Sequence, residues 1–308
     1  MRKFLVIVNM ESGTAKKSDP GKITAEVLDV LSSHDIESDV RFFRGADLVD
    51  GLRRAIDEKP DAILVAGGDG TVNTAAGLME NSGVALGILP MGTFNLAARD
   101  YDVPLEFEPA LHALATAEMQ SNQLMKISGL PCLCTSIIGF YPRMARMIDE
   151  YHGKKWWRKS LRVLGWSVFR FAKSTVYRLT ISNQDTEETK QHAFKSRMLA
   201  IVPGEYRDTL GLIPERKSTS GKEATVYVFQ HLTRIAMLRG MLAYVLGQSS
   251  DDPDMEAVAV TSGTLDFKGK KHVKIMIDGE VTQLETPLKI EIVPDALLLL
   301  HPQPETLP

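Results

Sequence analysis

The chain has 308 residues, 44% of them hydrophobic and 24% charged, with a formal net charge of −3. That length supports two domains with full cores, and the near-neutral balance argues against general nucleic-acid binding. No apolar run approaches the roughly 20 residues that span a bilayer, so a cytoplasmic protein is expected.

Phe4 to Val8 is a continuous apolar run. It is too short for a signal-peptide core, no small-residue cleavage site follows it, and it reads as a first β-strand. Asp19-Pro20 then offers a helix cap and a first-turn proline, and Ile23, Val27, Val30 and Leu31 recur at helical spacing. Ile36, Ser38, Val40 and Phe42 alternate as a strand, and Leu48, Leu52, Ala55 and Ile56 mark a second helix. Residues 62–66 and 84–89 give a third and a fourth strand. Strands spaced by helices predict a parallel sheet covered on both faces.

The pattern changes after about residue 126. Strand candidates dominate there, at 132–138, 176–182, 196–202, 224–229, 257–261, 264–267, 273–277 and 288–293, with helical stretches near 154–173 and 231–247. Turn formers punctuate them, as in an antiparallel β domain. Cys132 and Cys134 sit two apart on the first of these strands, poorly placed to bridge each other, and read as free thiols in a reducing compartment. The histidines show no ligand spacing.

Three polar loops follow three of the parallel strands. Asn9-Met10-Glu11-Ser12-Gly13 follows the first, Gly67-Gly68-Asp69-Gly70-Thr71-Val72-Asn73 the third, and Pro90-Met91-Gly92-Thr93-Phe94-Asn95 the fourth. Glycines let backbone N–H groups approach a phosphate, and a following helix N-terminus adds positive dipole. Ligands of such sheets collect at the carboxyl ends of the strands. Each loop alone is a common turn; together they predict one nucleotide site. An acid at position 69 would repel phosphate unless a cation or a proton transfer involves it.

With Ile277-Asp278-Gly279-Glu280 and the ending Thr286-Pro287-Leu288…Val293-Pro294, these loops make the chain resemble the diacylglycerol kinase catalytic-domain family of lipid kinases. The resemblance spans nearly the whole chain. It implies a Rossmann-like α/β domain, shared with NAD kinases, over residues 1–125, and a C-terminal antiparallel β-sandwich over 126–295. Residues 296–308 would form a tail packing back on the first domain. It implies an ATP-dependent lipid kinase that moves a γ-phosphate to the hydroxyl of a diacylglycerol-like lipid, phosphatidylglycerol or a sphingoid base.

In that reading Asn9, Met10, Glu11, Ser12, Gly13, Gly67, Gly68, Asp69, Gly70, Thr71, Val72, Asn73, Gly92, Thr93 and Asn95 surround ATP. Asp69 organises Mg²⁺. Glu280, with Asp278 close behind, accepts the proton of the acceptor hydroxyl, a role worth about 10²–10⁴ in rate. Asp278-Gly279 is also a common hairpin turn, and that reading stands beside the catalytic one. A soluble NAD-kinase-like enzyme and a non-catalytic nucleotide- or lipid-binding regulator are the alternatives.

The chain departs from the family at three places. Leu96 stands where many relatives have aspartate. The segment 218–223 has Glu223 as its only carboxylate, so no structural Mg²⁺ is expected there. Phe42-Phe43-Arg44 stands where relatives often carry a threonine that meets the nucleotide.

Residues 151–175 carry seven basic residues and no acidic one. Trp156, Trp157, Arg158, Trp166 and Phe169 are the candidates there for contact with an anionic membrane surface. The same pattern serves an amphipathic helix packed on the β domain with its charges solvated. The expected partners are a lipid substrate and a peripheral membrane contact; no nucleic acid is expected, and a homodimer is allowed.

Overall fold

The computed structural model describes residues 2–139, 174–183, 190–207, 215–216, 222–245, 248 and 252–303. These fall into two compact units. One holds the residues up to 124, residues 130–134 and those from 293 on; the other holds 125–129 and 135–292.

The first unit is an α/β domain. Its strands β1 (Arg2–Asn9), β2 (Ile36–Phe43), β3 (Ala62–Gly67) and β4 (Ala85–Pro90) lie in the order β2-β1-β3-β4. All three pairings are parallel, with Val6 opposite both Val40 and Leu64, and Val65 opposite Ile88. Phe4 to Val8 and every residue of β3 and β4 are buried, as strands covered on both faces require. Each buried Val, Leu, Ile or Phe among them contributes about 1.5–3 kcal/mol by leaving water.

The helices of this unit follow from local signals. α1 (Pro20–Ser33) starts where the Asp19 carboxylate accepts the Gly21 N–H at 2.8 Å, and it buries Ile23, Val27, Val30 and Leu31. α2 (Asp47–Asp57) buries Leu48, Leu52 and Ala55. α3 (Asp69–Met79) and the short α4 (Leu96–Asp100) start in the glycine loops, and α5 (Phe107–Ala115) follows. In order 2-1-3 the chain reverses direction between β1 and β3, and a crevice opens at the carboxyl ends of such strands.

The second unit is antiparallel. In one sheet, β7 (Ser136–Gly139) lies between β10 (Met198–Pro203) and β16 (His272–Ile277). β13 (Ala224–Phe229) and β14 (Met255–Val260) extend it on one side and β17 (Glu280–Glu285) on the other. In the other sheet, β15 (Ser262–Phe267) pairs with β8 (Tyr177–Asn183) and with residues 288–291, and β8 pairs with β9 (Lys190–Ser196). One face of each sheet is apolar: Ile138, Leu199, Ile201 and Ile275 in the first, Leu179, Ile181, Leu265 and Phe267 in the second. A helix, α6 (Arg234–Val245), follows β13.

Several elements differ from the sequence reading. Residues 132–138 are two short strands, β6 (Leu130–Cys132) and β7, rather than one; both cysteines are buried and free. The polar Glu118–Ile127 strand, β5, and β17 carry too little hydrophobic alternation to stand out. Residues 296–301, expected in a tail, end the 14-residue strand β18 (Leu288–His301). Leu298 and Leu299 pair parallel to Ala85 and Leu86 of β4. Pro294, and Asp295 at φ +51°, interrupt the run in sequence, yet the buried Ala296, Leu297, Leu299 and Leu300 carry it on.

Candidate active site

The three loops at the carboxyl ends of β1, β3 and β4 are stitched together by backbone and amide hydrogen bonds. The Met91 N–H donates to the Gly67 carbonyl at 2.9 Å, and the Thr14 N–H donates to the Met91 carbonyl at 3.0 Å. Asn9 Nδ2 donates to Thr71 Oγ1 at 2.8 Å, while its Oδ1 accepts the Glu11 N–H at 3.0 Å. Asn95, left-handed at φ +50°, accepts the Gly92 N–H on Oδ1 at 2.8 Å. Asparagine tolerates that conformation and closes the turn locally. Asn9 and Asn95 therefore shape the cradle through their side-chain amides.

Glycine is required where the second and third loops touch. A Cβ on Gly92 would lie 2.6 Å from Gly68 Cα, and a Cβ on Gly67 would lie 2.6 Å from Thr71 Cβ. Gly13 is different, because a Cβ there meets only the Met91 carbonyl at 3.6 Å and Thr93 Oγ1 at 3.9 Å. A methyl at 13 would partly fill the space over the loops. α3 begins at Gly68 with no side chain capping its first turn. An uncapped N-terminus beside two glycine loops suits the oxygens of a phosphate.

Asp69 opens α3 and is half-buried. Its Oδ1 accepts the Ala97 N–H at 3.1 Å, and the Leu96 N–H donates to the same carboxyl, so the side chain caps α4. Burial raises its pKa above the ordinary aspartate value against the pull of those amides, and the nearby Asp100 raises it further. This explains how an acid sits among phosphate-type loops. It also gives Leu96 a job through its backbone, while its side chain packs on the core.

Other predicted residues divide by burial. Met10 and Val72 are buried in the core. Glu11 and Thr93 are exposed, and Ser12 Oγ donates to the Asn9 carbonyl at 2.7 Å. Asn73 Nδ2 donates to the Pro131 carbonyl at 2.9 Å, and its Oδ1 is buried without a hydrogen-bond partner. Of the stretch Phe42-Phe43-Arg44, Phe43 packs on α2, where a Cβ on Gly51 would be 2.5 Å from its ring.

In the second unit, Asp278 and Gly279 have φ of +44° and +89°, and Ile277 pairs with Glu280. That is a two-residue hairpin turn with positive φ at both positions. Asp278 is nevertheless only 1% exposed. Its Oδ1 accepts the Thr135 N–H at 2.8 Å, and its own N–H donates to the Thr135 carbonyl at 2.9 Å. Glu280 is exposed. The turn is thus both a hairpin and a fixed carboxylate. Thr135 was not foreseeable as its partner, 143 residues away.

Sequence reasoning missed a further cluster. Ligand-type atoms of His231, Asp252 and Asp254 lie within 4.8 Å of one another. His231 Nε2 and Asp252 Oδ2 are 2.6 Å apart, and the Arg239 guanidinium donates to both aspartates. Burial raises the Asp252 pKa, but the Asp254 N–H, His231 and Arg239 outweigh it and hold the carboxyl below its ordinary range. Arg239 already supplies the positive charge that a cation would bring.

Trp156, Trp157, Arg158, Trp166 and Phe169 lie outside the described residues, as do residues 218–221 of the segment expected to lack a structural Mg²⁺.

Residues 3–127 match the family model described as "Diacylglycerol kinase catalytic domain". Over 249 residues, 78% of this chain and 77% of the relative, the sequence is 24% identical to a Staphylococcus carnosus protein described as "Putative lipid kinase". A Staphylococcus haemolyticus protein with a like description is 26% identical over 250 residues, 78% of this chain and 76% of its own. The fold is similar to the crystal structure of a "putative diacylglycerol kinase" from Bacillus anthracis. The TM-score is 0.74 at 18% identity, over 99% of this chain and 98% of that one.

Proposed function

We propose that this chain, whose residues 3–127 match the model of the diacylglycerol kinase catalytic domain, is a member of that family and transfers the γ-phosphate of ATP to a lipid hydroxyl. The observation that carries the reading is the joining of three loops at the carboxyl ends of β1, β3 and β4, with contacts too close for any side chain at Gly92. Phosphoryl transfer asks a protein mostly for positioning and charge neutralisation. Gly13, Gly67 and Gly68, with the N-terminus of α3, offer backbone donors and open space to phosphate oxygens.

The donor set also fits Mg²⁺. Asp69 is a half-buried carboxyl whose pKa is raised by burial and by Asp100, and a divalent cation would relieve that crowding. Asp69 is the residue that would hold the ion, whose charge neutralises phosphate oxygens when bound. The acceptor hydroxyl needs a proton acceptor, and the turn Asp278-Gly279-Glu280 supplies two carboxylates. Glu280 is the exposed one and takes that role; Asp278, fixed by Thr135, keeps the turn in place. The acceptor is a lipid of the diacylglycerol, phosphatidylglycerol or sphingoid class, reached from the membrane surface.

The test is radiolabelled ATP with Mg²⁺ and a panel of detergent-dispersed lipids. Label extracted into chloroform supports the reading. Label confined to a water-soluble product selects an NAD-kinase-like acceptor. ATP binding with no product selects the non-catalytic regulator, the reading that Leu96 favours.

A further inference from the structure

One sheet of the second unit carries a row of like charges on its exposed face. Lys195 of β9 stands directly opposite Arg178 of β8. On the other side of Arg178, Lys268 continues β15 by one residue, and its N–H donates to the Arg178 carbonyl at 2.9 Å. Three cations thus lie side by side across three strands, at a strand spacing of about 4.8 Å. Lys270 follows beyond Gly269, which turns the chain at φ +74°. Like charges directly opposite one another destabilise a sheet, so a fold that keeps this row calls for a counter-charge.

The chain does not supply it. All four side chains are exposed, and none of them has an ion pair among the described residues. Asp266, the acid next along β15, stands opposite Thr180, one row away. The four cations instead border a cavity of about 450 Å³, and no acidic residue lines it among the described residues. Tyr177 and Phe267 form part of its wall, their rings edge-to-face at 5.6 Å. A cavity of this size suits a small molecule, whereas a bilayer or a nucleic acid presents its charge over a broad surface.

We infer that this cavity is an anion site whose ligand is a small phosphate monoester. The Arg178 guanidinium grips two phosphate oxygens as a fork, and the lysines on either side act as point charges. A phosphate monoester carries about −1.5 to −2 charges at neutral pH, so one bound group offsets the repulsion along the row. The aromatic wall takes the organic part. None of these residues belongs to the three loops, and the site stands whether or not the chain is a kinase.

The test is calorimetric titration of the full chain with glycerol 3-phosphate, inorganic phosphate and a short-chain, water-soluble phosphatidic acid, alongside thermal melting. Wild type should bind all three saturably at low salt, and more weakly as salt rises. R178Q combined with K195Q should weaken binding about tenfold or more, since two charged contacts are lost. Without ligand that variant should melt no lower than wild type, because the repulsion is relieved. Phosphate should raise the melting of wild type and leave that of the variant unchanged. G92A, which disturbs the nucleotide loops, should keep the glycerol 3-phosphate titration. Phosphatidic acid bound more tightly than glycerol 3-phosphate assigns the site to a lipid headgroup, and equal binding assigns it to a soluble phosphate. No binding by wild type overturns the inference. So does binding that survives R178Q with K195Q or disappears in G92A, because the phosphate then sits in the nucleotide loops. Binding confined to anionic vesicles overturns it too, because the row is then a surface and not a small-molecule site.

Discussion

Gly92→Ala is the sharpest single perturbation of the proposed nucleotide cradle. The added Cβ would stand 2.6 Å from Gly68 Cα and 2.9 Å from Asn95 Oδ1. Carbon atoms in contact prefer about 3.5–4.0 Å, so the third loop must move away from the second by roughly 0.9 Å. Gly68 offers no flexible side chain to yield; its backbone must shift. Overpacking of this kind costs about 1–3 kcal/mol, which lowers melting by about 2–4 °C for each kcal/mol in a unit of this size. A displacement near 1 Å in a positioning loop costs about 10²-fold in rate. Gly13→Ala is the matched control, with only ordinary contacts at 3.6 and 3.9 Å. It should melt within about 0.5 kcal/mol of wild type and yet bind ATP more weakly, because the methyl enters the cradle. Differential scanning calorimetry and ATP titration read both effects. Wild-type melting and turnover in Gly92→Ala would refute the reasoning, as would full ATP affinity in Gly13→Ala.

Three further outcomes follow from the same geometry. Asp278→Asn should destabilise the second unit by about 1–3 kcal/mol, because it weakens the acceptor for the Thr135 N–H; Glu280→Gln should leave melting unchanged and lower turnover by about 10²–10⁴. Asp252→Asn should cost about 1.5–3 kcal/mol at neutral pH. The folded pKa of Asp252 is depressed, so its contribution is present above the unfolded value near 3.9 and is lost as pH falls through the folded one. Urea melts of wild type and variant should therefore converge in acid, and a constant gap down to the lowest accessible pH would contradict the ion-pair account. Gly51→Ala places a Cβ 2.5 Å from the Phe43 ring and should lower stability by about 1–3 kcal/mol; disappearance of that cost when Gly51→Ala is made in a Phe43→Ala background, seen by thermal melting, checks that this clash is the cause.

What could be read from the sequence was local. The apolar runs Phe4–Val8, 62–66 and 84–89 are dense enough to declare buried parallel strands, and the glycine loops follow them directly in the chain. Their joining at one crevice follows from strand order. The partners of the carboxylates were hidden because they are remote: Asp69 meets the amides of Leu96 and Ala97, Asp278 meets Thr135, and Asp252 meets His231. No spacing rule links positions 28, 143 or 21 residues apart. β17 reads Glu-Val-Thr-Gln-Leu-Glu and is a strand because it pairs with β16, which its own pattern does not announce. The outward side of α6, where Ile235, Leu238 and Leu242 are exposed, was hidden for another reason. Its sequence is apolar on several sides, and Gly240 on His231, with Arg239 on Asp252 and Asp254, decides which side faces water.

The central claim is the transfer of phosphate from ATP to lipid, and mass spectrometry of the organic extract tests it most directly. Wild-type protein with ATP, Mg²⁺ and dispersed lipid should yield a phosphorylated lipid, reduced about 10²-fold with Gly92→Ala. An extract with no phosphorylated lipid from an active, ATP-binding wild-type preparation would contradict the account.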